Sequence, residues 1–156
     1  MILTSYQKFL DKIFKHINRL NIDVSQFEMD HLGYSISSST EYDKLRPEFS
    51  KLGALVKENI IGGRRVGVCK LYKKLLYKDF SISALEFMEP KKGELTKTGL
   101  EHAEFIVNLP LEKFMTQYPS LPWDTSHITR NQFPRLKLVL EKGLEIKFHR
   151  TSVLEE

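Results

Sequence analysis

The N-terminal part of the chain has the hydrophobic period of an amphipathic helix. Apolar side chains recur at three- and four-residue spacing between residues 6 and 20, and this spacing puts them on one helical face. The pattern predicts a helix over about residues 5–21. Because this helix precedes every strand-like segment, we expect it to pack across a sheet as an extra element.

After this helix, apolar and polar residues alternate with a period of two, which is typical of half-buried strands. The alternating segments fall into two groups, over about residues 28–90 and 99–152, and each group predicts the order βαβββ. The predicted strands are 29–37, 54–60, 65–72, 80–88, 100–108, 127–130, 136–140 and 144–149, and the predicted helices are 40–52 and 110–118. We therefore expect an α+β fold in which paired βαβββ modules form a curved mixed sheet around a cleft. We also expect residues 1–156 to form a single domain.

The two predicted modules begin alike, with an acidic residue and a histidine before the strand pattern. These pairs are Asp30-His31 and Glu101-His102. Since side chains alternate across a strand, each histidine lies on the face opposite the apolar residues of its strand, and Glu86 does so on the fourth strand. Imidazole and carboxylate are the usual protein ligands of a divalent metal. If these faces line one cleft, His31, Glu86 and His102 converge on a metal site.

The same alternation also fits a sheet that simply exposes one face to solvent. The matching positions of the two histidines in the repeat bring the metal site level with this interpretation, and both stay open from the residues alone.

Charge and cysteine content narrow the classes of protein. The net charge of +4 comes partly from lysines near the third and fourth strands. These lysines either attract an anionic substrate or lie on the solvated side of exposed strands. No arginine-rich helix, RNP-type aromatic pair or zinc-finger spacing occurs, which argues against binding of nucleic acid.

Cys69 is the only cysteine, so an intramolecular disulfide is excluded, as is typical of a reducing cytoplasm. The first residues lack the pattern of a signal peptide, and no apolar segment is long enough for a membrane span. We expect a cytoplasmic protein without a membrane partner, either a monomer or a homodimer.

The duplicated order, the histidines that open strands one and five and the glutamate on strand four resemble the vicinal oxygen chelate superfamily. This superfamily includes glyoxalase I, extradiol dioxygenases, methylmalonyl-CoA epimerase and bleomycin-resistance proteins. More closely, the chain is similar to the YecM-like branch over roughly residues 7 to 152. The segments that carry this similarity are Met29-Asp30-His31, Glu58–Arg64, Leu85-Glu86, Gly99–Glu104 and Ile146–His149.

The resemblance implies a divalent metal (Zn, Ni, Mn, Co or Fe) held by His31, Glu86 and His102, and a substrate that chelates it through two adjacent oxygens. The sequence leaves open which residue takes the fourth ligand position of this site, called the fourth corner below. The internal repeat of Leu85-Glu86 indicates Glu145, whereas the YecM-like segment emphasises Lys147 and His149 on the same face.

Four further residues are candidates for catalysis or substrate binding. Glu104 is either a general base or an acceptor that holds a histidine N–H, and His149 is a candidate acid, base or ligand. Arg64, after a Gly-Gly turn, either clamps a substrate carboxylate or is an exposed arginine beside the turn. Lys147 is the second candidate for binding the substrate.

These expectations together predict an isomerase, epimerase or lyase that acts on a small anionic carbonyl or carboxylate substrate. Oxygenase chemistry is the neighbouring option, because two histidines and one carboxylate also suit non-haem iron. The alternative is a non-catalytic protein that binds a small anionic molecule in the same cleft.

Overall fold

One curved mixed sheet forms the centre of the fold. The computed structural model describes residues 2–156, and in this range seven strands and three helices are formed. Their bounds are α1 Tyr6–Arg19, β1 Glu28–Ser35, α2 Ser39–Leu52, β2 Gly53–Ile61, β3 Arg64–Tyr77, β4 Phe80–Met88, β5 Gly99–Ile106, α3 Leu111–Thr116, β6 Leu136–Glu141 and β7 Leu144–His149. The strand order across the sheet is β2-β3-β4-β1-β5-β7-β6. The prediction of an α+β fold with a curved mixed sheet and an additional N-terminal helix is confirmed.

Helix α1 packs across one face of the sheet through the apolar stripe that the sequence shows. Its buried residues include Ile13 and Phe14, and the Phe14 ring lies 5.4 Å from the Phe80 ring and 6.4 Å from the Phe105 ring. Asn21 follows the helix with a φ of 54°, the left-handed conformation that asparagine adopts more readily than most residues. No helix within residues 2–156 is long and apolar enough to cross a membrane.

Helix α2 covers the same face of the sheet in the first module. The Ser38 hydroxyl accepts a hydrogen bond from the Glu41 N–H, which caps the helix. Phe49 stacks on Phe87 of β4 with ring centroids 4.2 Å apart. Because the helices occupy this face, the opposite faces of the central strands are left to line a cleft.

The predicted strand at 127–130 is wrong, so the second module has the order βαββ. Residues 126–129 form a turn instead, and Asp124 Oδ1 accepts hydrogen bonds from the backbone N–H and the hydroxyl of Ser126. Three prolines between residues 119 and 134 remove backbone donors and fix φ, which disfavours a regular strand. In this segment Asp124 forms only an isolated bridge to Lys137.

Candidate metal centre

The two histidines meet at the centre of the sheet, where β1 and β5 pair antiparallel. The register places Leu32 opposite Ala103, His31 opposite Glu104 and His102 opposite Gly33. Both imidazoles are fully buried, and their ring centroids are 5.7 Å apart. Two residues that are far apart in the sequence are therefore close neighbours in the fold.

In each acid–histidine pair, the carboxylate holds the Nδ1 side of the next imidazole. Asp30 Oδ2 lies 2.8 Å from His31 Nδ1, and Glu101 Oε1 lies 3.2 Å from His102 Nδ1. A carboxylate that accepts from one ring nitrogen orients the imidazole and directs the other nitrogen towards a metal or another partner. The acidic residues of the repeat thus have a structural role that explains their position.

Glu86 of β4 completes a group of three ligand-type side chains. One ligand atom from each of His31, Glu86 and His102 lies within 4.8 Å of the others. The Glu86 carboxylate is 3.7 Å from His102 Nε2, and this nitrogen is buried without a hydrogen bond among the described residues. The donor set of two imidazoles and one carboxylate suits a divalent transition metal.

Gly33 makes room for the His102 ring. A Cβ at position 33 would lie 1.9 Å from His102 Cε1, far closer than any real contact. Only glycine is therefore compatible with this ring position. This close approach explains why the strand that carries His31 has a glycine two residues later.

Glu104 is buried beside His31 and joins it to a residue that the sequence did not indicate, Arg135. Glu104 Oε2 is 2.5 Å from His31 Nε2, and its Oε1 is 2.5 Å from Arg135 Nε. Burial raises the pKa of Glu104, but the charges of His31, Arg135 and His149 outweigh this effect and hold it well below its usual range.

The carboxylates around His31 favour its protonated form. Burial disfavours its charged form, but the charge of Glu104 and the hydrogen bonds with Asp30 and Glu104 raise the pKa of His31 to about 10. A metal ligand must be deprotonated, so metal binding at this position releases a proton.

His149 is also buried close to His31. Its ring centroid is 5.8 Å from that of His31, and its Nε2 is 3.3 Å from Asp30 Oδ2. Asp30, His31 and His149 form a second cluster of ligand-type groups. Burial raises the pKa of Asp30, but hydrogen bonds with His149 and His31 bring it below its usual range.

Strand register makes Lys147, rather than Glu145, the counterpart of Glu86. Glu86 lies beside Gly33 in the parallel pair of β1 and β4, and Lys147 lies beside Glu104 in the parallel pair of β5 and β7. Gly33 and Glu104 each follow their histidine by two residues, so Lys147 takes the position in the second module that Glu86 takes in the first.

Glu145, the other alternative, lies beside His102 in the register. It forms a separate group with Glu101 and His102. Burial raises the pKa of Glu101, but its hydrogen bond to His102 and the nearby charges of His102 and Lys147 bring it down to about 2.

A cavity of about 380 Å³ lies above these groups. Arg64, Glu86, Glu104 and Lys147 all line it, whereas His31 and His102 are fully buried and are not among its lining residues. The other ionisable lining residues are both basic and acidic, and several of the basic ones come from the irregular segment before β6. They are Lys57, Lys91, His127, Arg130, Arg135 and Lys137 on the basic side, and Glu94, Glu101, Glu145 and Glu156 on the acidic side. The cleft therefore combines basic side chains with carboxylates that include Glu86 and Glu104.

Sequence reasoning missed Arg135 and Glu156, which are both part of this cleft. Arg135 stands between the irregular segment and β6, where no hydrophobic period indicates which way a side chain points. The only feature of the sequence that could have indicated Arg135 is its position directly before the predicted strand at 136–140.

The comparisons with known proteins agree with this architecture. The family model described as YecM protein matches residues 1–156. Protein YecM of Escherichia coli strain K12 is 23% identical over 106 residues, which cover 68% of this chain and 56% of that protein. The matched stretch thus spans about half the length of the curated relatives.

Solved structures show the same fold at low sequence identity. Protein EC4020 superposes with a TM-score of 0.79 and 22% identity, over 99% of this chain and 88% of that chain. A Streptomyces coelicolor methylmalonyl-CoA epimerase in complex with 2-nitronate-propionyl-CoA has a TM-score of 0.55 and 12% identity, over 83% of this chain and 97% of that chain. Methylmalonyl-CoA epimerase is a member of the vicinal oxygen chelate superfamily. The chain belongs to the YecM family, and its fold is of the vicinal oxygen chelate type.

Proposed function

We propose that this protein binds a divalent metal through His31, Glu86 and His102 and acts as an isomerase, epimerase or lyase. Its substrate is a small anionic carbonyl or carboxylate compound that offers two adjacent oxygens. The observation that carries the proposal is the convergence of three ligand-type groups, from three strands and both modules, within 4.8 Å. Glu86 also lines a cleft that carries both basic and acidic side chains.

Three features of the residues fit a metal. Carboxylates orient both imidazoles, His102 Nε2 has no hydrogen bond among the described residues, and Gly33 leaves the space that the His102 ring needs. Three protein ligands leave open positions for a substrate. A bound metal supplies Lewis-acid polarisation of a substrate oxygen.

The remaining residues of the cleft bind the substrate and move a proton. Arg64 and Lys147 line the cleft and supply positive charge for an anionic group. Glu104 is the candidate for proton transfer, because it lines the cleft beside His31. The lowered pKa of Glu104 keeps it ionised, and its two ion pairs fix its position.

A non-catalytic binding protein is the second candidate, and one observation favours it. Both oxygens of Glu104 already face a partner, one at His31 and the other at Arg135. A carboxylate with both oxygens engaged binds a proton poorly, as the direction of its pKa shift also indicates.

Metal analysis of the protein without a histidine tag tests the proposal. We expect about one metal ion per chain in the wild type, and loss of that ion in the His31→Ala, His102→Ala double variant, because ligand removal abolishes the site. Circular dichroism checks that the double variant folds. Glu86→Gln is a milder variant, since its side chain is 14% exposed, and we expect it to weaken metal binding at least about tenfold.

His127→Ala is the matched control, because His127 lines the cleft outside the three-residue group and should leave metal binding unchanged. Full metal occupancy in the folded double variant would refute the assigned ligands. A wild type that binds no metal, yet gains thermal stability from small anions, would support the non-catalytic protein instead.

A further inference from the structure

The segment after β7 lies across one end of the cleft and is anchored there. The Val153 N–H donates a hydrogen bond to Asp30 Oδ2 at 2.8 Å. Its carbonyl accepts one from Lys57 Nζ at 2.9 Å, and the same ammonium group donates to the Glu156 carbonyl. The Val153 side chain packs with Val68 and Ala84. This segment therefore has a defined position beside the candidate metal centre.

The anchored segment places the Glu156 carboxylate on the outer edge of the Arg135 guanidinium. Arg135 Nη2 donates to Glu156 Oε1 at 2.7 Å, and Nη1 donates to Oε2 at 3.0 Å. The Glu156 side chain is only 8% exposed and that of Arg135 only 10%. This is the two-pronged geometry with which arginine binds a carboxylate.

The Nε side of the Arg135 guanidinium, its inner edge, contacts a different carboxylate. Its Nε contacts Glu104, which in turn contacts His31 of the candidate metal centre. A buried guanidinium is costly unless anions surround it. Burial accordingly lowers the pKa of Arg135, but the charge of Glu104 and the hydrogen bond and charge of Glu156 raise it above its usual value.

The two carboxylates that contact Arg135, Glu104 and Glu156, are held in the fold in different ways. Glu104 belongs to β5, which pairs with a strand on each side, whereas Glu156 lies outside the sheet, in the segment after β7. The fold is therefore compatible with an exchangeable anion on the outer edge of Arg135. Only the Arg135 guanidinium and the Glu104 carboxylate would separate this anion from His31.

We infer that the outer edge of Arg135 is a carboxylate-binding subsite of the cleft, which the Glu156 side chain occupies in place of a substrate carboxylate. The inference rests on the proposed function, because the same ligand would place its other end at His31, Glu86 and His102. It narrows the substrate class to small dicarboxylates or oxo-acids with a carboxylate distant from the chelating oxygens.

Binding of glutarate to the full chain tests this subsite. The metal is removed beforehand with a chelator, so that metal coordination adds nothing to the affinity. We expect Glu156→Gln to bind glutarate at least about tenfold more tightly than the wild type, because the internal competitor loses its charge and the free fraction of the subsite rises. Calorimetry measures the affinity, and neutral glutaramide should show no such gain.

Glu155→Gln is the matched control, since it removes the same charge from the neighbouring residue, which is exposed. It should bind glutarate like the wild type. Arg135→Lys in the Glu156→Gln background keeps the charge but loses the two-pronged geometry, and it should cancel the gain. If Glu156→Gln does not fold, Glu156→Asp, which shortens the side chain by one methylene, should show a smaller gain.

Equal glutarate affinity in the wild type, Glu156→Gln and Glu155→Gln proteins would overturn the subsite and leave Glu156 as a structural ion pair. A metal titration of the same proteins separates the two proposals. A gain in glutarate affinity without any metal binding would keep the subsite and refute the metal centre. Metal binding without a gain in glutarate affinity would keep the metal centre and refute the subsite.

Discussion

At the scale of single residues, the small size of Gly33 decides where the His102 ring lies. The imidazole occupies the space that any side chain at position 33 would need. At the equivalent position of the other module stands Glu104, and its carboxylate meets His31 instead. The two halves of the repeat therefore hold their histidines differently, one over a glycine and the other against a carboxylate.

Gly33→Ala should displace the His102 ring and weaken metal binding at least about tenfold, because a ligand moves out of position. Calorimetric titration of the metal-free protein measures this loss. Unchanged metal affinity in the alanine variant would show that His102 is not a ligand.

A double-mutant cycle separates this effect from a general loss of stability. Once His102→Ala has removed the ring, the added methyl group of Gly33→Ala has no imidazole to displace. We expect Gly33→Ala to lower the melting temperature strongly in the wild-type background and much less in the His102→Ala background, which is the signature of coupled neighbours.

Residues on regular strands could be placed from the sequence, and residues outside them could not. His31, Glu86 and His102 lie on strands whose alternation fixes the face of each side chain. The sequence therefore predicted the group that the fold brings together. Arg135 follows an irregular segment without any such period, and its contact with Glu104 depends on the packing of that segment alone.

At the scale of elements, strand register explains why the sequence left the fourth corner open. The sequence repeat aligns Leu85-Glu86 with Leu144-Glu145. The register instead places Leu85 beside Leu32 and Ile146 beside Ala103, so that Glu86 corresponds to Lys147. A shift of two residues keeps every side chain on the same face, and the alternation pattern therefore cannot detect it.

Lys147→Glu should raise the affinity for a divalent metal. It places a carboxylate at the corner opposite Glu86 and reverses a positive charge beside the site. Reversal of one nearby unit charge is worth on the order of 1–4 kcal/mol, so we expect an increase of at least about tenfold in the calorimetric titration.

Lys142→Glu makes the same change of charge at the exposed turn between β6 and β7, and it should have little effect. A matching increase in both variants would show that only net charge is involved, and that Lys147 has no special place at the site.

The missing strand in the second module is also explained by local element structure. Periodicity alone cannot separate a short strand from a turn, and residues 127–130 lie among prolines and beside the Asp124–Ser126 turn. Within the described residues no strand forms there, and the backbone pairing consists of the bridge of Asp124 to Lys137 and a hydrogen bond from the Arg135 N–H to the His127 carbonyl. The cleft is consequently bounded on this side by an irregular segment that contributes basic side chains.

At the scale of the whole molecule, the antiparallel pair of β1 and β5 joins the two modules and creates the site. Helices α1 and α2 cover the face that carries Phe105 and Phe87. The opposite face is therefore left to the histidines, Glu86 and Glu104. Because both histidines come from the central strands, the candidate metal centre exists only when both modules are folded and paired.

Anomalous diffraction from crystals soaked in a divalent transition metal tests this account most directly. We expect one strong peak about 2.0–2.2 Å from the Nε2 atoms of His31 and His102 and from a Glu86 oxygen, the usual lengths of such bonds. A peak at Glu101 and Glu145 that lacks contact with His31, or no peak within reach of the three predicted ligands, would contradict it.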